Sequence, residues 1–326
     1  MPVFSIIAFM SLSQDIKHKT IELGFDLIGV TDASPVDARQ AEIFAEWLES
    51  GFAGQMDYMH RNLQKRLDPA RLFENAQSVI VAGLNYTPPR HKSKPPDAAT
   101  PAGRIAGYAQ YEDYHLFIKE RLYKLADFIK SLAGAGVKFK ICVDSVPLAE
   151  RALAVRAGLG FIGKNHMLIN PDLGCRIFLG EIVTDLILPP DEPIAGDCAG
   201  CRKCLDACPT GALRPDGQFD AGVCINYLTI EYKGQIPPGP AEKIGDRLFG
   251  CDECVVVCPY QKNAPACGNR QFKFYHGRAR IDLQEILNLS AESFEATFAG
   301  SPIKRIGLDG LKRNARICLA NITRSA

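Results

Sequence analysis

The sequence predicts an α+β protein made of an α/β-layered unit, a cysteine-rich unit and a short α-helical tail. Three observations carry this. Short apolar runs alternate with 3.6-periodic runs up to about residue 190; cysteine, glycine and proline displace that periodicity from Asp197 to about Ala266; three brief helical patterns close the chain. At 326 residues the chain exceeds the ~100–200 typical of one domain, and boundaries are expected at 1–190, 191–268 and 269–326.

Element by element, Ser11 or Ser13 is expected to cap a first helix that ends at Gly24, with residues 1–9 as a frayed extension. DLIGVTD (Asp26 to Asp32) is a buried strand, ARQAEIFAEWLESG a helix stopped by Gly51, and SVIVAGL (Ser78 to Leu84) a second strand. The Pro- and Lys-bearing stretch from Asn85 to Arg104 is expected to be a surface loop. Glu112 to Leu132 forms a long helix closed by Gly134 and Gly136; KFKICVD is a strand; PLAERALAVRAG is a helix with Pro147 in its first turn; RIFLGEIVTDLIL is a strand. From Asp197 to Ala266 bound clusters, in place of an apolar core, are expected to hold the chain. IDLQEILNLS, AESFEATFAG and LDGLKRNARICLANITRS are the three closing helices.

Composition excludes several function classes. Net charge is +1, with 47% hydrophobic and 23% charged residues, which excludes wholesale disorder and a strongly charged partner surface. Nucleic-acid contact must be local. MPVFSIIAFM lacks a basic leader and a cleavage site and is shorter than the ~18 residues of a membrane span, so a cytoplasmic location without membrane attachment is expected. Twelve cysteines in such a chain point to metal ligation ahead of disulfides.

CAGCRKCLDACP sets Cys198, Cys201, Cys204 and Cys208 at C-x2-C-x2-C-x3-C-P, the bacterial ferredoxin run in which the fourth cysteine serves the other cluster. CDECVVVCP repeats it as Cys251, Cys254 and Cys258 without a first cysteine, and Cys224 is available for that corner. By the pseudo-twofold logic one [4Fe–4S] cluster takes Cys198, Cys201, Cys204 and Cys258, and the other takes Cys208, Cys224, Cys251 and Cys254. The alternative is a structural zinc pair, which has no need of the two x3-C-P endings. Cys142, Cys175 and Cys318 lie in apolar runs as small core residues; Cys267 is unassigned.

No dinucleotide fingerprint follows a strand: Gly158 to Gly163 have related glycines but follow a helix. Asp113, Tyr114 and His115 approach the D-x-H-x-x-G pattern that supplies histidine to some cobalamins, but Ile118 stands where its glycine belongs.

VDSVPLAERALAVRAGLGFIGKNHMLINPDLGCRIFLGEIVTDL, followed by the double cluster run, FGCDECVVVCP and GLKRNARICLANI, resembles the epoxyqueuosine reductase family over about Leu12 to Thr323. The resemblance implies a cobalamin enzyme that completes queuosine in the tRNA wobble position by deoxygenating an epoxide to an alkene. It places the proton donor at Asp144, at the end of the KFKICVD strand, whose pKa would have to be raised; the plain alternative is a helix cap. It places cobalamin contacts at Arg66, Lys164, Asn165, Leu168, Leu179, Asp252 and Glu253, many through the backbone; the alternatives are a surface ion pair for Arg66, core positions for the leucines and solvated loop positions for the two acids. An external low-potential electron donor and a monomer are expected. Departures from the family pattern are His166, Cys175, the Gln110 to Glu112 turn and a shortened C-terminal repeat region.

From Arg270 onward ten Lys or Arg face five Asp or Glu, a local +5 that could follow a tRNA backbone, with Phe272, Phe274 and Tyr275 available to stack a base. The alternative is a solvated helix face over buried aromatics. Rival functions are another cobalamin and iron–sulfur reductase, such as a reductive dehalogenase, and a non-catalytic electron carrier, which would have no use for a corrinoid or for Asp144.

Overall fold

The structure, a computed structural model, describes residues 3–89 and 100–325. The central part of the predicted surface loop, 90–99, lies outside the described residues.

Four strands, β1 (Leu27–Asp32), β2 (Ser78–Asn85), β3 (Phe139–Cys142) and β4 (Ile177–Thr184), form one antiparallel sheet in the order β1-β2-β4-β3. Both central strands are buried along their whole length, which explains why they are largely apolar with no polar–apolar alternation. Helices α1 (Val3–Glu22) and α3 (Tyr114–Ala133) cover one face, where Ile16, Ile118, Leu122 and Ile129 meet Ile80 and Ile182. Helix α4 (Glu150–Arg156) covers the other through Leu153 and Ala154 against Val79, Val81, Leu179 and Val183. At Gly180 the α3 layer comes so close that an added Cβ would lie 2.5 Å from Ile118 Cγ2. Only glycine leaves room for that approach. Helix α2 (Ala38–Glu49), capped by Asp37, runs between β1 and β2 in the chain and ends before Gly51 at φ 72°.

Several sequence expectations are corrected. Helix α1 begins at Val3, well before Ser11 and Ser13, which therefore lie inside it and cap nothing. Helix α4 begins at Glu150, and Pro147 stays in the preceding turn, in which Asp144 sits at φ 48°. The stretch read as loop contains the strand Ala102–Ile105, parallel to Arg247–Phe249 and antiparallel to Arg280–Asp282. Four residues reading AGRI are too few to display a period.

The cysteine-rich stretch has more core than expected. Ile225, Leu228, Ile244, Leu248 and Phe249 share one apolar cluster with Leu283, Phe294, Phe298, Leu311 and Cys318 from beyond residue 268. The last helix, α5 (Gly307–Ser325), is tied into it by polar side chains: Asn314 donates to the Thr229 and Leu248 carbonyls, and Arg313 to those of Leu228, Tyr232 and Gly234. These bonds satisfy strand and loop carbonyls that would otherwise be buried alone. Cys142, Cys175 and Cys318 are fully buried, as small core residues would be, and Cys267 is half-buried. No described helix is long and apolar enough to cross a membrane.

Candidate active site and cysteine centres

The turn after β3 presents Asp144 to a cleft of about 500 Å³, lined among others by Tyr58, Arg66, Leu148, Glu150 and Arg305. The N-terminus of α3 meets Asp144 through Tyr114 and His115. Asp113 caps that helix by accepting the His115 N–H, and its Oδ1 also meets His115 Nδ1 at 2.7 Å. His115 Nε2 and Tyr114 Oη both lie 3.0 Å from Asp144 Oδ2. His115 therefore stands between two carboxylates.

Charge follows from this geometry. Recessing His115 opposes its protonation, but its hydrogen bonds to Asp113 and Asp144 outweigh that and push it up to about 9. Recessing Asp144 raises its carboxyl, yet the His115 and Tyr114 hydrogen bonds and the nearby Arg305 leave it below the ordinary value. The sequence expectation of a raised Asp144 is thus corrected for the free chain: the proton rests on His115, and Asp144 is its ionised partner. A histidine whose folded pKa is raised stabilises the fold fully below its ordinary value of 6.5, and that contribution disappears as pH climbs through about 9. Unfolding midpoints of the wild type and His115→Gln are accordingly expected to differ most at pH values up to about 6.5 and to converge as pH climbs through about 9 in thermal scans.

The eight cysteines singled out by spacing gather in two groups. Cys198, Cys201, Cys204 and Cys258 line one recess together with Lys164 and Asn165. The Lys164 N–H donates to Cys198 Sγ at 3.3 Å, and its ammonium holds the same loop through the Ala199 and Cys201 carbonyls. In the second group, Cys224 is pushed up to about 11, first by burial and then by the neighbouring Cys251 and Cys208. Burial likewise raises Cys254, with Cys224, Cys251 and Cys208 adding to it. Among the described residues no three His, Cys, Asp or Glu converge tightly enough to hold a single metal ion. Cys175, buried beside Cys258, hydrogen-bonds it and draws its thiol downward.

A sequence profile described as epoxyqueuosine reductase QueG, DUF1730 matches residues 66–145, a span that runs from Arg66 to just past Asp144. A second, described as a 4Fe-4S double cluster binding domain, matches residues 197–261 and takes in all eight cysteines. An epoxyqueuosine reductase of Pseudomonas aeruginosa is 39% identical over 311 residues, covering 95% of this chain and 85% of the relative. The chain belongs to the epoxyqueuosine reductase family. Another family member, from Leadbetterella byssophila, is 39% identical and is matched over 93% of this chain and 96% of its own length. Among solved members, the Streptococcus thermophilus epoxyqueuosine reductase superposes with a TM-score of 0.87 at 32% identity, over 95% of this chain and 81% of that one. An epoxyqueuosine reductase solved with an epoxyqueuosine-modified tRNA-Tyr stem loop gives 0.89 at 33% identity, over 96% and 82%.

In this member of the epoxyqueuosine reductase family the other residues singled out by resemblance are spread more widely. Arg66 shares the Asp144 cleft, and its Nε is buried with no hydrogen-bond partner. Asn165 donates to the Cys254 carbonyl. Leu168 and Leu179 are buried among the apolar residues around α4. Asp252 is no solvated loop residue: its Oδ2 accepts the Gly107 N–H at 2.7 Å and pairs with Arg176 at 3.0 Å. Glu253 pairs with Arg104 and Arg247.

Sequence reasoning missed His115, Tyr114, Glu150 and Glu181. The Asp-Tyr-His triplet at the head of a predicted helix was the available signal, set aside because it failed a different motif. Base stacking by Phe272 is also corrected. Phe272 is 3% exposed and stacks on Tyr111 at 4.6 Å, and Tyr275 is covered by Arg278. Arg278 and Arg313 are buried against carbonyls; Arg280, Lys304, Arg305 and Arg324 pair with acids; Arg270, Lys273, Lys312 and Arg316 are the tail cations that are neither buried nor in an ion pair among the described residues.

Proposed function

We propose that this chain reduces epoxyqueuosine to queuosine in the wobble position of tRNA, electrons passing through two [4Fe–4S] clusters to cobalamin, with Asp144 as proton donor. The observation that carries this reading is Asp144, aimed at the cleft and hydrogen-bonded to both Tyr114 and a protonated His115. Conversion of the epoxide to an alkene takes two electrons and two protons and releases water. As the oxygen gathers negative charge, the proton held on His115 is handed through Asp144 to that oxygen and Asp144 is left ionised again, so the pair acts as one acid that is still protonated near neutrality. Asp113, on the far side of the ring, keeps the charged imidazole oriented.

The ligand sets follow the two groups of thiols: Cys198, Cys201, Cys204 and Cys258 for one cluster, and Cys208, Cys224, Cys251 and Cys254 for the other. The cleft also suits a large cofactor with polar edges. Its walls include Val36, Phe44, Met59 and Leu148, and the orphaned Arg66 Nε offers a donor to an amide or phosphate. Cobalamin, when bound, supplies electrons at low potential to the epoxide carbon. Lys164, Asp252 and Glu253 have their side chains engaged elsewhere, so contact from them would run through the backbone.

Protein purified without oxygen, loaded with iron, sulfide and cobalamin and given a strong reductant, is expected to convert epoxyqueuosine in tRNA to queuosine. Failure of fully loaded protein to do so would overturn the proposal. tRNA affinity is expected to fall with salt, with a log–log slope no steeper than about −3.6 from the four tail cations that are neither buried nor ion-paired. Filter binding across a salt series measures it, and a flat response would remove the tail from the tRNA contact.

A further inference from the structure

Glu181 occupies the middle of β4 on the face that packs against α4, where Leu179 and Val183 meet Leu153 and Ala154. It is wholly buried, and neither of its carboxyl oxygens meets a hydrogen-bond donor among the described residues. Such a place suits a neutral acid and disfavours a carboxylate. The neighbouring acid is Glu150 at the head of α4, whose Oε1 accepts the peptide N–H of Asp144 at 2.6 Å. Two carboxylates can only accept; one proton on Glu181 supplies the missing donor and leaves Glu150 charged toward Asp144. Asp144 needs such a hold, because its φ of 48° lies in the left-handed region that a residue with a Cβ seldom adopts.

We infer that Glu150, backed by the buried acid Glu181, is a positioning residue that clamps the Asp144 peptide and keeps its carboxyl against Tyr114 and His115. The inference rests on the reading of Asp144 as proton donor. Burial, and then the charge of Asp144, push Glu150 up to about 7, and burial with the charge of Glu150 drives Glu181 well above the ordinary carboxyl range. The other titratable groups facing the pair are Tyr114, Cys142, Arg66 and Arg151.

Glu150→Ala is expected to lower kcat by about 10²-fold through misplacement of Asp144, with iron content and the KM for tRNA unchanged. Glu150→Gln keeps an amide oxygen that accepts the Asp144 N–H and is expected to recover most of the loss. Wild-type kcat in Glu150→Ala, or equal damage in both variants, would overturn the clamp. A second readout is independent of turnover: infrared spectra at neutral pH are expected to contain a protonated carboxyl band that vanishes in Glu181→Gln and survives in Asp144→Asn. Absence of that band, or its survival in Glu181→Gln, would overturn the role of Glu181. If Asp144→Ala turned over normally, the donor reading would fall, and the infrared result would still report on the Glu150–Glu181 pair.

Discussion

Asp144→Ala is expected to lower turnover of epoxyqueuosine-containing tRNA by about 10²–10⁴-fold while leaving iron content and tRNA binding unchanged. The side chain lies on the cleft surface and makes its hydrogen bonds to Tyr114 and His115 there, so its removal opens no cavity in the core. His115 loses one of its two carboxylate partners and keeps Asp113, so its pKa should fall but stay above that of a free imidazole. The loss should therefore fall on kcat, and Asp144→Asn should do little better, since an amide cannot relay a proton from His115. Single-turnover measurements on anaerobically loaded protein would decide it. Wild-type conversion by Asp144→Ala would exclude this residue as the acid.

Cys224→Ala carries the other large effect. Cys224 stands outside both C-x2-C runs, on a short turn just ahead of a helical segment (Ile225–Ile230) whose Ile225 and Leu228 are buried. If it completes the second cluster, its loss should drop iron from about eight to about four atoms per chain and abolish turnover, with the first recess still filled. Iron analysis and low-temperature EPR on the same sample measure both. Undiminished iron in the variant, or stoichiometric zinc in the wild type, would defeat the ligand assignment.

Much of the architecture was legible in the sequence because the main elements are long or strongly punctuated. β2 and β4 announce themselves as largely apolar eight-residue runs, broken in β4 by Glu181, and α3 has an aspartate cap at one end and a glycine at the other. Ala102–Ile105 was hidden, since a four-residue strand acquires its identity from its partners at 247–249 and 280–282. The cysteine groups were legible because ligand spacing is local. The surroundings of Asp144 were not: they join the head of α3, the turn after β3, the start of α4 and the centre of β4, which only the sheet brings together. Nor could the charge count of the tail reveal that Arg278 and Arg313 point inward; that depends on carbonyls about twenty and eighty residues away in sequence.

The three-stranded sheet has a consequence for synthesis. Its central strand leaves the ribosome early, yet its partners lie about 145 and 180 residues later, so closure must bridge very long loops. All eight cluster-motif cysteines emerge before the last strand, at 280–282, has been synthesised. A nascent chain halted before residue 280 would carry a complete set of thiols on an unfinished scaffold, which makes the order of chain completion and cofactor delivery a matter of timing as much as of affinity.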